Sequence, residues 1–224
     1  LGLGDTVSVT MEDMIHHGAA VARGTKNALV VVDMPFMSYQ SSVYDAVVNA
    51  GRLMKEARAN AVKLEGGVEV ADRIRAIVDC QIPVCAHIGL TPQGINALGG
   101  FKVQGKTADS ARKLLEDAHA VEEAGAFAVV LEAIPAELAE RVSAELTIPT
   151  IGIGAGAGCD GQVLVNQDML GMFHDFTPKF VRRFAEVGDV MLEAYRAYDA
   201  AVKDGSFPAA EHTYAAPAGV LENL

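Results

Sequence analysis

Tryptophan is absent from this chain, aromatic residues make up only 6% of its 224 positions, and it holds just three cysteines and eight prolines. Basic charge is also scarce: 18 Lys and Arg stand against 29 Asp and Glu, a formal net charge of −11. That balance excludes the electrostatic footprint of a nucleic-acid binder or of a protein that lies on an anionic membrane. No apolar run approaches the roughly 18 residues of a membrane helix. The longest strand-like stretch, Ala126 to Leu131, is stopped by Glu132, so a soluble protein with no membrane partner is predicted. Cys80, Cys85 and Cys159 form an odd set with no Cys-x-x-Cys pair. This excludes a disulfide frame or thiolate zinc site and predicts reduced thiols, packed as small hydrophobes in a cytoplasmic protein. No basic and apolar leader is read in the first residues, so export is not expected. The chain opens LGLGD without methionine, and a missing N-terminal segment is expected.

What is there is a packed composition: half the residues are hydrophobic, 21% are charged and 22 are glycine. Such a chain folds as one large domain over residues 1–224, with any disorder confined to a tail at about 206–224. Short, largely apolar runs alternate with amphipathic stretches. Six strands are predicted, at Ala28 to Val32, Ala61 to Leu64, Pro83 to Ile88, Ala126 to Leu131, Thr150 to Ile153 and Gln162 to Val165. Runs of this kind are what a parallel sheet buries on both faces. Between them, Thr10 with Asp13 reads as a capping box opening a helix, and Ser41 or Ser42 as the start of a second. Apolar stripes follow at Val70, Ile74, Ile77 and Val78, then at Leu114, Leu115, Ala118 and Val121. Pro135 suits the first turn of a fifth helix. C-terminal helices are predicted over about 178–205, with Gly188 as a break and Gly205 as the stop. Their apolar residues Phe180, Phe184, Met191, Tyr195 and Tyr198 are assigned to core or subunit packing.

Alternating strands and helices define an α/β fold, and strand-end charges choose its form. Asp33, Lys63 with Glu65, His87 and Glu132 each fall at or just past the C-terminal end of a different strand. A (β/α)8 TIM barrel gathers those ends around one mouth. Six strands do not close such a barrel, so the first two are expected to precede residue 1. One partly dry pocket would then hold several titratable groups. Its carboxylate-rich composition favours Mg²⁺ or another hard cation over zinc. The glycine run IGIGAGAG, Ile151 to Gly158, has the Gly-x-Gly of a dinucleotide turn, but the segment after it reads as a strand. The helix that would take the pyrophosphate is therefore lacking, and close backbone approach explains the glycines better. His16, His17 and His119 read as surface helix residues, while His174 and His212 fall in loop-like segments.

The same residues carry a family resemblance. VVVDMPFMSY (Val30 to Tyr39), VKLEGG (Val62 to Gly67), PVCAHIGLTPQ (Pro83 to Gln93) and LGGFKVQGK (Leu98 to Lys106) are followed by VVLEAIP (Val129 to Pro135) and PTIGIGAGAGCDGQVLVNQDMLG (Pro149 to Gly171). In this order they resemble the ketopantoate hydroxymethyltransferase family, from about Thr6 to the EHTY segment ending at Tyr214. The resemblance implies a cytoplasmic barrel of the phosphoenolpyruvate/pyruvate type, assembled as a homo-oligomer of ten subunits. It implies transfer of a hydroxymethyl group from 5,10-methylenetetrahydrofolate to 3-methyl-2-oxobutanoate through a Mg²⁺-stabilised enolate, giving 2-dehydropantoate for pantothenate biosynthesis. Carried over motif by motif, Asp33 ligates the metal and touches substrate, and Glu65 holds a metal-bound water. Lys63 pairs with the oxo acid, His87 hydrogen-bonds near it, and Glu132 is the acid/base. In the family a Gly-Asp-Ser-Leu-Gly segment before the first helix adds a second metal-binding Asp and a substrate-binding Ser. This chain begins after it, so weak metal binding and poor barrel closure are expected of the sequence as it stands. Ser8 replaces a common family Pro and is given no functional weight. The competing reading is a Mg²⁺-dependent carbon–carbon lyase of a 2-oxo acid on the same barrel, sharing Asp33 and Glu65 and distinguished by folate dependence.

Overall fold

A computed structural model of the protein describes residues 1–221. The last three positions of the expected tail, 222–224, lie outside the described residues. Contacts divide the chain into two units, Leu1–Val163 and Leu164–Leu224.

In the first unit, α1 (Met11–Gly24) starts as its sequence predicts: Thr10 accepts from the Asp13 N–H and the Asp13 side chain accepts from the Thr10 N–H. There follow β1 (Val31–Asp33), α2 (Val43–Lys55) capped by Ser42, β2 (Ala61–Glu65), α3 (Ala71–Asp79) and β3 (Val84–Gly89). The short α4 (Ile95–Leu98), then α5 (Ala108–Glu123), β4 (Ala128–Glu132), α6 (Ala136–Glu145), β5 (Thr150–Ile153) and β6 (Gly161–Gln162) complete it. All six strands form one sheet in the order β1 to β6, and every neighbouring pair is parallel. A doubly wound sheet reverses its order at a switch point. This sheet never does, so right-handed crossovers place its helices on one face.

Side-chain alternation then sorts the strands. Val32, Val62, Leu64, Val84, Ala86, Ile88, Val129 and Leu131 join the helices in a continuous core. Their neighbours in sequence face the other way: Cys85, Ala128, Val130 and Ile153 form a second, smaller cluster with Val31, Phe127 and Ile151. The registers Asp33↔Lys63, Lys63↔Cys85 and Glu65↔His87 set the charged residues side by side at the strand ends of that second face. Burying Leu or Val in the helix-side core contributes about 1.5–3 kcal/mol each, which makes the alternation hard to reverse.

Strand bounds shift by up to three residues from the sequence expectation, and three details matter. β1 begins at Val31 and runs to Asp33, so Asp33 is the strand's last residue. Val163 to Val165 are not strand, because the ladder of β6 ends after Gln162. Pro135 is the N-cap of α6 rather than a residue of its first turn.

The second unit contains α7 (Asn166–Met169) and α8 (Val187–Asp204). The helix expected from about Pro178 begins only at Val187, and Gly188 lies in its first turn. A Cβ there would come within 2.6 Å of both the Gly171 carbonyl oxygen and the His174 ring, so close approach rather than a break explains this glycine. Gly205 stops the helix as expected, in the left-handed conformation at φ +78°. No residue of α8 is buried. Phe180, Phe184, Met191, Tyr195 and Tyr198 are all exposed, so they do not pack in a core of this chain.

Candidate active site

All five charged residues singled out in the sequence meet in one cavity of about 480 Å³, at the C-terminal ends of β1 to β4. Their positions follow from strand parity: Lys63 and Glu65 are two apart on β2, Cys85 and His87 two apart on β3, and Val130 and Glu132 two apart on β4. Thr6, Val9 and Met14 add apolar wall from the segment around the start of α1, and Ile151, Ile153 and Val163 add it from the far side.

Lys63 is the hub. Its Nζ lies 3.0 Å from Asp33 Oδ2 and 3.1 Å from His87 Nδ1. Burial works against the ammonium, but the Asp33 and Glu65 charges outweigh it and hold its pKa above the usual lysine value. A charged lysine has only protons to give, so Nδ1 of His87 must accept and the imidazole proton sits on Nε2. Burial first, and then the Lys63 charge, push the His87 pKa down to about 3, which keeps the ring neutral.

The Nε2 atom faces Glu132, with Oε2 3.1 Å away. That distance suits a hydrogen bond, yet the alignment does not, and Nε2 is left buried without a well-directed partner. Glu132 itself is carried up to about 7 by burial, against the pull of Lys63 and with the help of Asp33. The backbone turns sharply just past it: Ala133 is left-handed at φ 47°, its N–H donating to the Ile153 carbonyl. A non-glycine residue held there stores about 1–2 kcal/mol of strain. Gly89 allows the companion approach, since a Cβ on it would meet the Glu132 carbonyl oxygen at 2.4 Å.

Glu65 is also raised to about 7, mainly by burial, with Lys63 and the Gln93 N–H opposing the rise. Its Oε2 accepts from that N–H at 2.9 Å, and its backbone N–H donates to the Tyr39 hydroxyl at 3.1 Å. The sequence reading missed both partners. Tyr39 and Gln93 stand in loops at the ends of recognised motifs, and the only available signal was a polar residue just beyond an apolar strand. Cys85 lines the same cavity, with its thiol pKa pushed up to about 11 by burial, an inert protonated neighbour as expected.

Among the described residues no three His, Cys, Asp or Glu side chains gather closely enough to cage a metal by themselves. Asp33 and Glu65 offer carboxylate oxygens on adjacent strands. Mg²⁺ commonly takes one or two carboxylates and leaves its other positions to water and substrate, so this donor set fits a hard cation and lacks the nitrogen and sulfur ligands of zinc.

A strand-end cavity holding a lysine, a neutral histidine and two carboxylates near neutrality defines the class, a parallel α/β enzyme built for proton transfer beside a stabilised negative charge. Residues 1–210 match the sequence profile described as Ketopantoate hydroxymethyltransferase. Curated proteins named 3-methyl-2-oxobutanoate hydroxymethyltransferase from Clostridium novyi and Enterococcus faecalis are each 66% identical over the whole chain, which covers 82% of their length. One from Clostridium acetobutylicum is 59% identical, with 81% of its length covered. The chain belongs to the ketopantoate hydroxymethyltransferase family.

Proposed function

We propose that this enzyme transfers a hydroxymethyl group to 3-methyl-2-oxobutanoate, with 5,10-methylenetetrahydrofolate as the one-carbon donor, giving 2-dehydropantoate and tetrahydrofolate. The observation that carries the reading is Glu132, a carboxylate near neutrality in the cavity that also holds Lys63, with His87 between the two. A base works best with its pKa near the working pH. Glu132 takes the proton from C3 of the oxo acid, and Lys63 offers its charge to the carboxylate and keto oxygens as negative charge moves onto them. His87, with its proton on Nε2 and that atom 3.1 Å from Glu132 Oε2 without a directed bond, leaves the carboxylate free to turn to the substrate. The carbon freed of its proton bonds to the methylene carbon, both C–N bonds from that carbon to the folate break, water supplies the hydroxyl, and the C3 proton and one water proton end on the two folate nitrogens. Asp33 would ligate Mg²⁺ directly and Glu65 through a bound water; the cation, when present, supplies Lewis-acid stabilisation to the chelated oxo acid.

The steady strand order supports a (β/α)8 barrel of the phosphoenolpyruvate/pyruvate type as the complete architecture, with two further strands joining the free edges of β1 and β6. Within the second unit, the exposed Val190, Leu192, Tyr195 and Tyr198 of α8 support a homo-oligomer, in keeping with a decamer. No helix among the described residues is long and apolar enough to cross a membrane, and a cytoplasmic location goes with this reading.

The test is proton NMR of 3-methyl-2-oxobutanoate in D₂O. Loss of the C3 proton signal that depends on both protein and Mg²⁺ is expected, with net product only when the folate donor is added. Absence of exchange from folded protein overturns the enolising site, and release of a carbon fragment without folate would favour a lyase.

A further inference from the structure

The least expected feature of the cavity is the bonding behind Glu65. Gln93 is almost fully buried and follows Pro92 in a single 3₁₀ turn beyond β3. Its backbone N–H donates to Glu65 Oε2 at 2.9 Å. Its side chain reaches the other way, Nε2 donating to the Met34 carbonyl just past β1 at 2.8 Å and Oε1 accepting from the Gln40 amide at 3.3 Å. The Tyr39 hydroxyl stands between these groups. It accepts from the Glu65 N–H at 3.1 Å and has one proton to give, with the Glu65 carbonyl at 3.0 Å and Gln93 Oε1 at 3.2 Å as acceptors. Tyr39 is 1% exposed, so water does not compete for these bonds.

We infer that Gln93 is a positioning residue for Glu65: its side-chain amide, tied to Met34 and Tyr39, fixes the turn whose N–H aims the Glu65 carboxylate into the cavity. The side-chain amide bonds to protein groups in the segment that follows β1, and it acts on Glu65 through the Gln93 backbone N–H. The geometry has a physical rationale. A carboxylate at the end of a long side chain has free rotamers to lose, and a directed N–H selects one of them in advance of binding. The amide is suited to the task because it donates and accepts at once; neither leucine nor glutamate can do both. What Glu65 is positioned for rests on the transferase reading, whereas the positioning itself does not.

Two measurements test it. In the first, hydrogen–deuterium exchange of the backbone amide of Gln93 is followed in the protein without substrate. Glu65→Leu removes the acceptor, and exchange at that amide should quicken by about tenfold, the loss of one hydrogen bond to a charged group. An unchanged rate overturns the inference. In the second, Mg²⁺-dependent C3 proton exchange is measured for Gln93→Leu in the wild-type and Glu65→Gln backgrounds. The Mg²⁺ needed for half-maximal exchange should rise about tenfold in the first background and should not rise further in the second. A purely structural role predicts equal losses in both, and that result also overturns the inference. Should Gln93→Leu fail to fold, Tyr39→Phe removes a single hydroxyl from the same chain of bonds and should give the same pattern with a smaller rise. Wild-type protein that shows no C3 exchange at all would sink the transferase reading, leaving the amide measurement to decide the positioning.

Discussion

On the β1 and β2 side of the cavity every charged group has a committed partner: Asp33 lies against Lys63, and Glu65 takes the Gln93 N–H. On the β3 and β4 side the contact is looser. His87 Nε2 and Glu132 Oε2 are 3.1 Å apart without good alignment, and the ring nitrogen is buried and short of a directed bond. Both sides rest on the same strand-end pattern, so strand placement is not what separates them. A group that must hold a ligand in one pose gains from fixed hydrogen bonds, because the entropy of ordering is spent before binding. A group that must accept and return a proton gains from a partner that does not hold it too firmly. Under the proposed reaction the tightly bonded side would be the binding half of the cavity, and the loosely bonded side would be where the proton moves.

The sharpest break of that contrast is Glu132→Gln. It preserves shape and removes the base, so C3 exchange should fall by at least about 100-fold, within the range for loss of a positioned base, while affinity for the oxo acid is nearly kept. Isothermal titration calorimetry alongside NMR exchange checks both. On the other side, Lys63→Met should act in the opposite sense. It removes a charge-assisted contact, so oxo-acid affinity should fall by about 10- to 100-fold, with a smaller change in the exchange rate at saturation. Equal effects of the two variants on affinity would erase the distinction between the halves.

The strands and the five charged residues were legible because apolar runs ended in charge at regular places, and parity put Lys63 and Glu65 on one face. The α1 cap was legible for a local reason, since Thr10 and Asp13 satisfy each other within one turn. Where the outcome depended on a distant contact, the sequence was silent. Gly188 looks like a helix breaker by propensity, yet its place in α8 is set by Gly171 and His174, many positions away. Val163 to Val165 have the composition of a strand, but the last rung to β5 is the Val163 N–H donating to the Gly152 carbonyl, and the pairing goes no further. Tyr39 and Gln93 lie 54 positions apart, and no periodicity links residues across two loops.

Stability against pH sharpens the contrast further. The folded-state pKa of Glu132 is about 7, against an ordinary value of 4.5. Between those values the folded protein keeps a proton that the unfolded chain has released. The stabilising contribution is thus fully present below about pH 4.5 and is lost as pH rises through about 7. His87 has the opposite sign, because its folded value is depressed; its contribution is present above about pH 6.5 and lost as pH falls towards 3. Comparing wild type with Glu132→Gln largely cancels the histidine. The variant should be the more stable at pH 8, by about 3 kcal/mol, and this advantage should shrink towards zero near pH 4.5. Urea melts of the metal-free protein at both pH values measure it. A gap that widens on acidification would mean that Glu132 is charged and well paired in the fold, and the looseness of its side would be refuted.

The smallest effect provides the control. Thr107 caps α5 and does not line the cavity, accepting from the Ser110 N–H while the Ser110 hydroxyl accepts from the Thr107 N–H. Thr107→Ala should cost about 1 kcal/mol of stability, the usual loss at an N-cap, at pH 5 and pH 8 alike, because no titrating group is involved. C3 exchange measured below the melting temperature should be unchanged. If this variant shifted the exchange rate as Lys63→Met or Glu132→Gln does, those losses would reflect general loosening of the fold. Only a silent Thr107→Ala assigns them to the two halves of the cavity.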